Sequence, residues 1–103
     1  MSFWDRMQEV INQGVETSKD VLNKAKEKAK DLGEMGILKY EIMKLEKQAE
    51  KNFLLLGSKV FELFVEKKMG SVNKDDENIK KLISEVTEIQ KEIEEKEEAL
   101  KNI

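Results

Sequence analysis

From Ile79 onward the chain sets an apolar residue at every third or fourth position: Ile79, Leu82, Val86, Ile89, Ile93, Leu100 and Ile103, with Lys96 as the one polar member of the row. Such steps hold side chains on one stripe of an α-helix, and their mean of about 3.5 suits packing along a partner helix. No proline occurs anywhere in the chain to break a helix. These two features confine the fold to long helices packed lengthwise. Composition agrees. Charged residues make up 40% and hydrophobic residues 39%, too apolar for a disordered chain yet highly charged for a compact globule. Long amphipathic helices resolve that tension, because each shows one apolar stripe and a wide solvated face.

Three helices are expected. The first spans about residues 3–32, with Ser2 as its N-cap and Asp5 three residues on as a loose capping box. Its stripe is Trp4, Met7, Ile11, Val15, Ser18, Leu22, Ala25, Ala29 and Leu32. Gly14 is a weak point within it, costing about 1 kcal/mol relative to Ala. Gly33-Glu34-Met35-Gly36 reads as the first turn. The second helix spans about residues 37–68, with a seam of Leu38, Ile42, Leu45, Ala49, Phe53, Leu56, Val60 and Leu63. Phe53 takes the seam position and leaves Asn52 at its edge. The second half of this helix adds Leu54, Leu55, Phe61, Phe64 and Val65, more apolar surface than one neighbour covers. Met69 to Lys74 forms the second turn, where Gly70 is placed to close the helix. The third helix spans about residues 76–103, opened by Asp75, Asp76 and Glu77 as suits a helix N-terminus.

Matching lengths and short turns predict an all-α, up-down-up antiparallel three-helix bundle as one domain over residues 1–103. The alternative is a coiled-coil hairpin with a separate N-terminal amphipathic helix that dimerises. In the bundle, folding about the second turn sets Leu63 near Leu82, Leu56 near Ile89, Leu45 near Leu100 and Ala49 near Lys96. Folding about the first turn sets the Trp4–Val15 region beside residues 54–65, so that Trp4 caps the core against Phe61 and Phe64.

Chemistry is sparse. The chain has no His and no Cys, which removes imidazole bases, thiol nucleophiles, disulfides and thiolate zinc sites. Carboxylate pairs such as Glu94/Glu98 lack the histidines that accompany them in metal-binding bundles, and neighbouring lysines suit them as surface ion pairs. Ser58-Lys59 lies in no catalytic motif, Tyr40 is a lone hydroxyl, and no glycine-rich phosphate loop is present. Neither a catalytic residue, a cofactor, a metal nor a small-molecule substrate is expected. A net charge of −3 argues against nucleic-acid binding. Lys24, Lys26, Lys28 and Lys30 fall at every second position, which spreads them around a helix rather than gathering them into a patch. The 10 acidic against 6 basic residues of segment 70–103 read as a solvated face. Asp5, Arg6, Gln8 and Glu9 stand where a signal peptide would be apolar. A cytoplasmic protein is expected, peripheral to a membrane if Phe3 and Trp4 meet an anionic lipid surface.

The opening Met1-Ser2-Phe3-Trp4-Asp5-Arg6, the stretch Lys24-Ala25-Lys26-Glu27-Lys28-Ala29-Lys30 and the core from Leu45-Glu46-Lys47 to Leu63-Phe64 resemble small uncharacterised bacterial helical proteins of the coiled-coil hairpin kind. Some of these carry a C-terminal zinc ribbon, from which this chain departs by having no cysteine. The resemblance implies a bacterial cytosolic helical protein and implies no activity. The first helix is also similar to the amphipathic N-terminal helices of membrane-stress coiled-coil proteins of the phage-shock type.

The expected role is therefore a non-enzymatic helical interaction or scaffold module that binds a protein partner or a second copy. The alternative is a peripheral membrane adaptor or sensor acting through the first helix. The candidate contact surface is Phe3, Trp4, Met7, Phe53, Leu54, Leu55, Phe61, Phe64 and Val65.

Overall fold

A computed structural model describes residues 3–13 and 19–103; the side chains of Val10, Gln13 and residues 19–22 are outside the description. The described residues form helices α1 (Phe3–Gln13), α2 (Lys19–Asp31), α3 (Gly33–Phe61) and α4 (Glu77–Lys101), with a π-helical turn over Glu62–Glu66 at the end of α3. The fold is all-α. Gly14, Val15 and Ser18 of the expected first helix fall outside the described residues.

The long α3 follows from its seam. Ile42, Leu45 and Ala49 repeat at helical spacing and are buried, facing Ile89 and Ile93 of α4. Two cross-links give the direction. The Lys96 Nζ donates to the Glu41 carboxylate at 2.6 Å, and the Asn52 amide donates to Glu85 at 3.4 Å. Since 41 pairs with 96 and 52 with 85, α3 and α4 run antiparallel. The register differs from the expected one. Lys96 lies beside Glu41 rather than Ala49, a displacement of roughly two helical turns. The reversal comes early, at Lys68, whose φ is 54°.

That early reversal has a local cause. The π-turn widens the helix end, so that the Lys67 N–H donates to the Glu62 carbonyl and the Met69 N–H to the Leu63 carbonyl, both at 3.0 Å. The left-handed Lys68 turns the chain between these two bonds, as a residue just past a helix end commonly does. Gly70 therefore does not close the helix. The chain then returns past the buried Leu63, bracing itself with the Asn73 side chain on the Asp75 N–H at 2.9 Å. Asp76 caps α4 by accepting from the N–H groups of Asn78 and Ile79.

The first turn is also tighter than expected. Gly33 adopts φ 74° and α3 starts there, so Gly36 sits inside the helix rather than in the turn. Gly36 is buried, and a Cβ on it would overlap the Ala29 carbonyl oxygen and approach the Leu32 Cβ to 2.6 Å. The missing side chain lets α2 lie directly on α3. Both α1 and α2 run antiparallel to α3: Trp4 meets Phe53 while Arg6 meets Glu46, and Ala29 meets Gly36 while Lys26 shares a cleft with Tyr40 and Lys44.

Two substitutions test these turns. Gly36→Ala should cost about 1–3 kcal/mol, because the buried contact has no room to relax. Lys68→Gly should gain about 1 kcal/mol by relieving the left-handed backbone. In thermal unfolding the midpoint should fall for the first and rise for the second, by ~4–8 °C per kcal/mol in a domain of this size.

Candidate functional site

The candidate surface divides where the described part of α1 stops covering α3. Met7 is fully buried among Ile42, Leu45, Ala49, Ile89 and Ile93. It therefore belongs to the core and is no contact surface. Its position on the α1 stripe brings it between α3 and α4, where a flexible thioether fills the gap. Phe3 and Phe53 are half-buried and pack on the same cluster. Trp4 stands edge-on to Phe53, ring centroids 5.5 Å apart and planes at 70°, and Phe3 lies 6.5 Å from the same ring. Such tilted and edge-on arrangements suit aromatic quadrupoles. Trp4 thus caps the core against Phe53 rather than against Phe61 and Phe64, following the displaced register of α1 on α3.

Beyond Phe53, apolar side chains stand in solvent. Leu54 is 61% exposed, Leu55 47%, Phe61 61%, Phe64 44% and Val65 53%. By contrast, the middle of α3 from Leu38 to Phe53 has no exposed large apolar side chain. The difference is the reach of α1. Glu46 and Phe53 mark its track on α3, and steps of four and seven carry that track on to Gly57 and Phe64. Leu54, Phe61 and Val65 flank it. The nine candidate residues are therefore not one surface. Met7, Phe3 and Phe53 hold α1 down, while Leu54, Phe61, Phe64 and Val65 form an uncovered face, with Trp4, 52% exposed, at its edge. Leu55 turns aside towards α4, where it shares a cleft with Lys81 and Leu82.

One polar group near α1 was not evident in the sequence. Arg6 reaches between α3 and α4, with Nη2 at 2.5 Å from Glu97 and Nη1 at 3.9 Å from Glu46. Its Nε is buried without a hydrogen-bond partner among the described residues, an unmet donor that costs stability. Burial pushes the Glu46 carboxyl above its ordinary range, opposed by the Arg6 charge and reinforced by Glu97. Nothing in the spacing of three distant charges announces this cluster; only packing brings them together. Gly57 likewise stands in the expected second helix with no turn to explain it. A Cβ there would meet nothing within 4 Å, so the protomer itself gives no reason for a glycine in mid-helix. Among the described residues, no helix is long and apolar enough to cross a membrane, and no group of three or more carboxylates is arranged to hold a metal ion.

The Glu46 shift has a definite sign. Its folded-state pKa is raised, so its contribution to stability is full below the unfolded value and is lost as pH rises through the folded value. Glu46→Gln removes that loss. The stability of the variant relative to the parent chain should therefore improve as pH rises above about 4, the ordinary carboxylate value, read by denaturant unfolding of both at each pH. A relative stability independent of pH would contradict the burial of this carboxyl.

Comparison with known proteins finds no matching family model, no matching curated protein and no matching solved structure, so function has to be argued from this geometry alone.

Proposed function

We propose that this chain is a non-enzymatic, cytoplasmic interaction module that binds protein through the uncovered face of α3. In this reading α1 and α2 form the first arm of an up-down-up three-helix bundle, which presents α3 to its partner. The observation that carries the reading is the contrast along one helix: polar-edged from Leu38 to Phe53, with no large apolar side chain exposed, and then open at Leu54, Leu55, Phe61, Phe64 and Val65. A contiguous apolar patch at the surface of a protein marks a place where something else packs. The absence of His and Cys from the sequence supports a binding role over a catalytic one.

The membrane reading has less support. It needs α1 to leave the hairpin, which would expose Met7 to water and strand Glu46 and Glu97 side by side without Arg6. Its signature is a blue shift of Trp4 emission on adding anionic vesicles; the interaction-module reading expects no shift.

A photo-crosslinking residue at position 61, expressed in the cells the chain comes from, tests the protein-binding role. Discrete adducts are expected at 61 and not at the solvated Lys91 position. Equal labelling at both positions would end the reading. Phe64→Asp beside the crosslinking residue should keep the helix content, because that ring is already exposed, and should lose the position-61 adducts.

A further inference from the structure

Resting on the protein-binding reading, we propose that the partner is a second copy of this chain, docked antiparallel about a two-fold axis between Gly57 and Phe61 of α3. Three observations meet here. The first is shape. Along the open face the residues run Leu54, Gly57, Phe61, Phe64, in steps of three, four and three. Reversing this row against itself sets Phe61 of each copy over Gly57 of the other, and Leu54 over Phe64. Large then meets small at the centre, which is what an isologous contact between identical faces requires. A parallel pairing would instead set ring on ring and leave glycine facing glycine.

The second observation is Gly57 itself. It sits in mid-helix, exposed, with open space where a Cβ would stand. A glycine at such a position weakens the helix relative to alanine. Inside the protomer nothing offsets that cost. A ring seated on the bare backbone does, because only a residue without a side chain leaves a hole there.

The third is extent and direction. Trp4, Leu54, Phe61, Phe64 and Val65 together leave roughly 500 Å² of side chain uncovered, given aromatic residues of ~150–250 Å² each. A standard interface takes ~800 Å² from each partner, so this face with its polar rim is of the size a stable dimer uses. The incoming α3 runs antiparallel to its neighbour, the direction α1 already takes. It continues the α1 track beyond Phe53 and meets Trp4 at the junction. The two-fold axis fills both open tracks at once.

Sedimentation of the full chain should give twice the 12.0 kDa protomer mass at micromolar concentration. Gly57→Leu should weaken dimerisation at least tenfold while raising the thermal midpoint of the dissociated protomer, since the added side chain meets nothing there and strengthens the helix. An equimolar mixture of Leu54→Cys and Phe64→Cys chains should oxidise to disulfides between unlike chains. Like-with-like disulfides would overturn the antiparallel register, as would a Gly57→Leu chain that dimerises as well as the parent. A protomer that stays single at high micromolar concentration would overturn the second copy as partner. The position-61 adducts separate that failure from failure of the binding role. Adducts of another mass retain the binding role and discard the self-pairing; no adducts discard both.

Discussion

Met7 is the point on which the packing turns. Its side chain lies between Ile42, Leu45 and Ala49 of α3 and Ile89 and Ile93 of α4, so this three-helix contact depends on α1 lying across the α3–α4 seam. Two helices alone cover each other along one stripe; a third is needed before residues such as Ala49 and Ile93 lose all contact with water. Where α1 sits, Met7, Ala49 and Ile93 are fully buried and the flanks carry ion pairs: Arg6 with Glu97, Lys96 with Glu41. Where it does not, the same α3 helix shows its apolar residues. The position of one helix along another thus divides the molecule into a closed half and an open half.

The seams themselves were legible. Ile42, Leu45, Ala49 and Leu63 on one side, and Ile79, Val86, Ile89 and Ile93 on the other, were all readable as core from spacing alone, and all are buried. What spacing does not carry is register. A seam that repeats every three or four residues packs nearly as well when slid by a heptad, because apolar residues still face apolar residues. Register is then set by the turns, of which the first follows the glycine rule and the second departs from it. The chain reverses at Lys68 although Gly70 was at hand, and at Gly33 while Gly36 serves close packing instead. A glycine in a sequence does not say whether it supplies a left-handed backbone, a close approach or an empty hole. This chain uses separate glycines for each: Gly33, Gly36 and, in the proposed dimer, Gly57. Trp4 lies against Phe53 rather than Phe61, and Met7 stands at the centre of the core rather than on the surface.

The π-turn over Glu62–Glu66, the left-handed Lys68 and the helix-weakening Gly57 all lie beyond Phe53, while α3 is regular helix wherever α1 covers it. Local rules agree with one another in a segment selected only to fold, and conflicts between them concentrate where another demand acts. The π-turn also has a geometric effect. It inserts extra backbone between Phe61 and the reversal, which changes the rotation of Phe64 and Val65 relative to Leu54 and widens the apolar face.

Assembly and stability are linked in such a molecule. The closed half buries its core within one chain, so it folds without help. The open half has only α4 to pack on, and its outer residues gain burial only when a partner arrives. Binding to the folded state alone stabilises it by mass action, so the open half should be the less protected of the two at low concentration and approach the closed half as concentration rises. The covered core from Ile42 to Ala49 has no reason to respond. A partner therefore acts on one end of α3 through the helix it extends, while Arg6, paired with Glu97 and near Glu46, ties α1 to the middle of α3.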